Sequence, residues 1–319
     1  MNTTPTTEDR IWAVISHLSS LAFGMGIVLP IVGWADQRRK SNYASFQSLQ
    51  ALGYQSLGYT IWLLSYLVII ILASIILLVT LGPTDGTRET VLGPGMILFF
   101  ILIFGFFALY FLLPIIAAIA CALGREFRYP FMGVRLAGYL GYHPHQKSEE
   151  QVWLNEDHEF SWVAAMGHFS ILVFLWGMLA PLTAWILYGK HSFVLKFQSI
   201  QTIVYQAATT ILYFVALFMY LFGFLLLAAA TSAIGQPDLN SSMGIFSIVI
   251  FGALLLISFL IILTIPLLHI LGQWAGYRVL KGDNYHYPLI GRLVEKSLRS
   301  RLESETPSEP LSEMKENPT

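Results

Sequence analysis

Apolar residues run through this chain in long blocks, separated by short polar stretches that recur in the same order. Four blocks, 52–81, 94–123, 203–231 and 243–274, hold no Asp, Glu, Lys or Arg. Each exceeds the roughly 20 apolar residues that carry a helix across about 30 Å of hydrocarbon. Leu, Ile, Val and Phe occupy every side of these blocks, which marks spanning helices and not amphipathic surface ones. Two further blocks, 11–34 and 162–189, are interrupted. The first carries Ser16, His17, Ser19, Ser20, Gly24, Gly26 and Pro30, and the second His168, Ser170, Gly177 and Pro181. Glycine costs about 1 kcal/mol and proline about 3 in a helix interior. Each interrupted block therefore reads either as one kinked span or as two short helices meeting at the break.

The order of blocks repeats. His17 and His168, Gly26 and Gly177, Pro30 and Pro181, and Trp34 and Trp185 stand at one constant offset. The same offset aligns Phe46-Gln47-Ser48-Leu49-Gln50 with Phe197-Gln198-Ser199-Ile200-Gln201, and Tyr54-Gln55 with Tyr205-Gln206. Matches of Leu with Ile are cheap in membrane helices, but matches of His, Pro, Trp and Gln are not. Pro114 then pairs with Pro266 and, after a short insertion, Tyr129-Pro130 with Tyr287-Pro288. The pattern predicts an all-α polytopic membrane helix bundle of two tandem repeats. Each repeat has a broken or re-entrant apolar segment and two long spans, making six hydrophobic segments in total. The expected divisions are a first membrane repeat over 1–142, a polar linker over 143–160, a second repeat over 161–302 and a disordered tail over 303–319. The second repeat ends in a basic amphipathic helix, where Ile290, Leu293, Val294, Leu298 and Leu302 alternate with Arg292, Lys296, Arg299 and Arg301.

Composition agrees and narrows the function. Only 12% of the 319 residues are charged, against about 25% in soluble proteins. The net charge of −1 gives no basic face for nucleic acid. One cysteine, Cys121, excludes an intrachain disulfide. Lys and Arg concentrate on cytoplasmic loops, and this decides how the broken segments are read. If they do not cross the bilayer, Arg88 alone lies outside and every other Lys and Arg inside, with both termini cytoplasmic. If they cross, the basic residues divide without a useful bias. The distribution favours four full spans and parallel halves, and the membrane expected is a bacterial cytoplasmic (inner) one.

Candidate chemistry is sparse. His17 and His168 are polar groups at membrane depth, which is a functional hypothesis by default. They could face one another and relay a proton or hold a metal. The preferred reading is that each imidazole bonds a backbone carbonyl freed by the adjacent break. Gln47, Gln50 and Tyr54, with Gln198, Gln201 and Tyr205, form a polar stripe at helical spacing. It reads as interhelical glue or as the lining of a path. His143, His145 and His158, near Glu149, Glu150, Glu156, Asp157 and Glu159, read as a solvated linker. His269 and Gln273 lack polar counterparts in the first half. No nucleophile elbow, phosphate loop, dinucleotide fingerprint or zinc-protease motif is present, and neither catalytic residues nor a cofactor are expected.

Three motifs carry a resemblance: Trp12-Ala13 with His17-Leu18-Ser19, Phe46 to Ala51, and Gly124 to Tyr129-Pro130. Together they resemble a widespread prokaryotic membrane family of unknown function. That family is distantly similar to the channel-like Tic subunit of the chloroplast inner-envelope protein import machinery. The resemblance implies a broken segment that acts as a hairpin, and it implies little about activity. The function expected is that of a non-enzymatic scaffold or partner-binding membrane protein, with the lipid bilayer and a membrane-protein partner or a second copy as its contacts. The alternative is a channel or carrier for an uncharged or hydrophobic cargo, of the import-channel kind.

Overall fold

The computed structural model describes residues 4–80, 88–143, 152–233 and 242–305. Among them the regular structure is helical throughout. The elements are α1 (Thr7–Leu18), a 3-10 segment (Ser19–Ile27), α2 (Val28–Gln37), α3 (Asn42–Thr80), α4 (Arg88–Ala122) and α5 (Met132–Leu140). There follow α6 (Glu156–Phe169), a second 3-10 segment (Ser170–Met178), α7 (Leu179–Tyr188), α8 (Phe193–Ala233), α9 (Ser242–Leu280) and α10 (Ile290–Glu305).

Among the described residues, five segments are long and apolar enough to cross a membrane: Thr7–Gln37, Asn42–Ile75, Phe100–Ala122, Phe193–Ala229 and Gly244–Leu280. Beside these five, the stretch 162–189 supplies the shorter apolar helix Leu175–Tyr188.

Length and apolarity do not make Thr7–Gln37 a straight rod. Phe23 takes φ 50° and ψ −143°, outside any helix, and the chain doubles back around it. Gly26 returns to Ser19 so closely that a Cβ there would collide with the Ser19 carbonyl oxygen. Gly33 returns to Ser16 and Trp12. At the open end, the Gln37 amide donates to Glu8 at 3.1 Å. The second broken segment closes in the same manner. Gly177 meets the Ser170 carbonyl, and Tyr188 reaches Phe160 with ring centroids 6.1 Å apart. Glycine is required at 26 and 177 because any side chain would collide with backbone, which cannot yield.

The long helices have two characters. α3 has 39 residues, about 58 Å of helix, well beyond a bilayer core. Its first third is buried: Phe46, Gln47, Leu49, Gln50 and Leu52 are all fully enclosed. Farther along, Ile61, Leu64, Leu67 and Ile71 are open. α8 and α9 likewise expose Phe218, Leu225, Phe259 and Leu263. An apolar surface this extensive has no place in water. The molecule is thus a compact body, made of the hairpins and the polar ends of the long helices, from which apolar helix pairs project.

One core unites the two halves. Trp34, Leu49 and Leu52 pack in the same cluster as Trp162, Met166 and Phe169. At its polar edge Arg38 donates to Glu159 at 3.1 Å and to Glu156 at 2.9 Å. The Trp34 indole also donates to Glu159. Arg38 lies among the rings of Trp34, Phe160 and Tyr188, 4.4 Å from the centre of Phe160. Glu159 is fully buried, so the expectation of a solvated run of acidic residues fails at this position. Helix α6 winds its first turn inward, and burial is made tolerable by the guanidinium. Residues 144–151, including His145, Glu149 and Glu150, lie outside the described residues, and so does the tail beyond 305. Helix α10 docks on the body: Val294 and Leu298 pack on Phe197, while Leu293 stays exposed.

Burial holds the Glu159 carboxyl above its ordinary value, and Arg38 pulls it part of the way back. The folded chain therefore binds this proton more readily than the unfolded chain does. Glu159 contributes most to stability below the unfolded carboxylate value, and the contribution falls as pH rises through the raised folded value. Arg38→Ala leaves the carboxylate buried without its partner, and should cost roughly 3–5 kcal/mol at neutral pH with a steeper fall. Denaturant unfolding in detergent micelles at about pH 5 and about pH 8 checks this. A wild-type pH profile indistinguishable from that of Glu159→Gln would refute it.

Candidate functional site

The expected polar residues do come together, but as two separate clusters, one inside each half. In the first, His17 on α1 bonds Tyr129 through Nδ1 at 3.1 Å and Gln47 on α3 through Nε2 at 3.0 Å. The directions follow from the rest of the network. The Gln47 and Gln50 amide nitrogens both donate to the carbonyl of Phe127. Gln50 also donates to Gln47 Oε1, while its own Oε1 accepts from the backbone N–H of Tyr129 at 2.7 Å. Gln47 Oε1 is thus an acceptor, so His17 must carry its proton on Nε2 and accept at Nδ1. The Tyr129 hydroxyl donates there. Tyr129 is enclosed, and burial keeps its phenol neutral far above the usual range.

The second cluster has the same plan. His168 on α6 bonds Tyr287 at 2.9 Å and Gln198 on α8 at 3.0 Å. Gln198 and Gln201 donate to the carbonyl of Tyr285, and Gln201 also donates to Gln198. The N–H of Tyr287 returns to Gln201 at 3.3 Å. Two differences stand out. Gln198 also donates to Asn284, and Thr202, where the first half has Ala51, places its hydroxyl 2.9 Å from His168 Nδ1.

Each cluster ties three chain segments together: the first arm of the hairpin, the buried start of a long helix and the loop that leaves the following long helix. The aromatic members extend the tie. Tyr54 stacks on Tyr129 at 4.2 Å, and Tyr205 on Tyr287 at 3.8 Å. The Tyr54 hydroxyl then donates to the carbonyl of Tyr110 at 2.7 Å. That carbonyl stands four residues before Pro114, which has no N–H to offer it. Immediately after each Tyr-Pro, Phe131 and Leu289 adopt φ of 62° and 65°, a strained conformation for residues with side chains. The clamped tyrosines on their N-terminal side hold these turns in place.

The preferred reading of the histidines is therefore corrected. Both ring nitrogens bond side chains, and neither reaches a freed carbonyl. That work falls to other residues. Gln55 donates to the Ser16 carbonyl and to Ser19 Oγ, and Gln206 to the Gly167 carbonyl. Ser170 Oγ donates to the carbonyls of Gly167 and Gly177. Nor do the two histidines meet: the partners of each come from its own half. Among the described residues no group of three or more His, Cys, Asp or Glu could hold a metal ion. His158 stacks on Tyr139 and bonds its carbonyl. Gln273 joins the halves, accepting from Thr60 at 3.0 Å and donating to the Phe169 carbonyl at 3.1 Å. Sequence reasoning missed Tyr129 and Tyr287 as members of the clusters, although the repeated Tyr-Pro pair was the available signal. It missed the Arg38–Glu159 pair entirely, since nothing local links those positions.

These features define a multi-pass α-helical membrane protein whose polar interior is turned on itself. Residues 8–137 match the sequence model of the magnetosome magnetite crystal formation protein family, MamF/MmsF. No curated protein and no solved structure matches the chain, so the expected likeness to the plastid import subunit finds no support. The matched stretch runs from the first hairpin into α5, and so contains the whole first cluster.

If the cluster is a structural tie, Tyr129→Phe should cost about 1–3 kcal/mol by leaving His17 Nδ1 unpaired. His17→Ala should then cost less in the Tyr129→Phe background than in the wild type, by roughly 0.5–3 kcal/mol. A double-mutant unfolding cycle in detergent measures the difference, and additive losses would contradict the assignment.

Proposed function

We propose that this chain is a non-enzymatic membrane scaffold of the magnetosome type, built from two tandem repeats and acting in magnetite crystal formation. The match over residues 8–137 carries the reading. The site geometry supports it, because the conspicuous intramembrane polar groups are each other's partners. Gln47, Gln50, Gln198 and Gln201 all spend their amides on loop carbonyls and on one another, which favours a rigid body over a polar path. Expression of the chain as a fluorescent fusion in a magnetite-forming bacterium that lacks its own members of the family tests the reading. The expected result is fluorescence on the crystal-bearing membranes and recovery of crystal size. Uniform labelling of the cell membrane with unchanged crystals would count against it.

The same reading carries a topology. Four spans are provided by α3, α4, α8 and α9, the two halves run parallel, and both termini face the cytoplasm. The broken segments enter the membrane from that side and return. Three points support this: the ends of each hairpin meet, the body they build is continuous, and under this arrangement every Lys and Arg but Arg88 falls on one side. In a Cys121→Ser background, Lys40→Cys and Lys190→Cys should both react with an impermeant thiol reagent only after permeabilisation. Reaction of Lys190→Cys from outside would require six spans with inverted halves.

A further inference from the structure

The loops that leave α4 and α9 end in the same strained turn. Phe131 and Leu289 follow the Tyr-Pro pairs with φ of 62° and 65°, a conformation that glycine adopts freely and a side chain opposes. Both halves nonetheless carry a bulky apolar residue there, and it does not serve the core. Phe131 is 88% exposed and Leu289 79%, the two most exposed large apolar side chains among the described residues. The clamped Tyr129 and Tyr287 hold each turn so that this side chain stands clear of the body.

Helices α5 and α10 start at these turns, and each keeps one face in the body. Leu136 and Leu140 are buried on α5, and Val294 and Leu298 on α10. On the opposite face of α5, Phe131, Val134 and Arg135 are exposed. On that of α10, Leu289, Arg292, Leu293 and Lys296 are exposed, at the spacing of a single helical stripe. Neither stripe holds an acidic residue. Arg135, Arg292 and Lys296 enter no ion pair among the described residues, and Glu295, beside the α10 stripe, faces His286 at 3.2 Å.

Apolar side chains set among unpaired cations complement the boundary of an anionic leaflet, where acyl chains take the first and phosphates the second. The end of α9 carries the residues that mark such a boundary. Trp274 and Tyr277 are exposed there, and Lys281 lies over the Tyr277 ring at 4.8 Å. We propose that the two Tyr-Pro turns form a paired lipid-binding surface. Phe131 with Val134, and Leu289 with Leu293, enter the cytoplasmic leaflet, and Arg135, Arg292 and Lys296 hold the headgroups of anionic phospholipid. The pairing rests on the topology proposed above, in which parallel halves bring both turns to one leaflet.

Full-length chains in vesicles of phosphatidylcholine and phosphatidylglycerol, in a Cys121→Ser background, test it. An environment-sensitive fluorophore on Phe131→Cys or Leu289→Cys should emit as in an apolar medium and be quenched by lipids brominated near the headgroup. Val134→Cys and Leu293→Cys, on regular helix, should do the same if the turn variants fail to fold. Spin-labelled phosphatidylglycerol should be held in preference to spin-labelled phosphatidylcholine. Arg135→Gln, Arg292→Gln and Lys296→Gln should each lower that preference, by up to about fivefold. A preference that all three substitutions leave unchanged would overturn the proposal. Water-like emission at both turns, with Lys190→Cys still shielded from outside, would overturn the lipid contact and leave the topology standing. Reaction of Lys190→Cys from outside would instead put the turns in opposite leaflets and overturn the pairing.

Discussion

Everything in this structure depends on one constraint: an apolar segment that doubles back exposes backbone groups that lipid cannot satisfy. A straight spanning helix bonds its own carbonyls. A hairpin turned at Phe23 does not, and the carbonyls of Ser16 and His17 must find other donors. Gln55 and Ser20 supply them, and Gln206 and Ser170 do the same in the second half. Those glutamines sit a few turns inside α3 and α8, so the long helices must begin within the body. This is why α3 runs about 58 Å and why its first third is polar while the rest is open and apolar.

The histidine clusters answer the next demand. The loops that leave α4 and α9 would otherwise present bare carbonyls at Phe127 and Tyr285. Paired glutamines take those carbonyls, and the histidine fixes the glutamine orientation by requiring an acceptor at Nε2. The tyrosine closes the circuit. Every member has its role set by its neighbours, so a half-satisfied version would be costlier than an apolar one. A network of this sort specifies a single arrangement of hairpin, helix and loop.

Between the halves the chemistry changes. There the attachments are a buried guanidinium–carboxylate pair in an aromatic surround and the insertion of Trp162 onto Gly53. Breaking such a pair is expensive even where forming it gains little, so it is better suited to fixing how the halves dock than to adding stability.

The sequence by itself determined the membrane class, the four long apolar helices, the two interrupted segments and the matched His, Gln and Tyr positions. These are legible because apolar length, helix-breaking residues and repeated rare matches are local signals. It did not determine what the histidines bond, since a side chain's partner depends on a segment more than 100 residues away, as with His17 and Tyr129. It misjudged Glu159 for the same reason: an acidic run before a helix looks solvated until an arginine from another hairpin is placed against it. Whether an interrupted block runs straight or turns back also required the tertiary structure, because hydropathy measures how apolar a stretch is and not whether its two ends meet. Sequence periodicity thus recorded which residues recur, while burial and the long-range pairing of polar groups decided what each of them does.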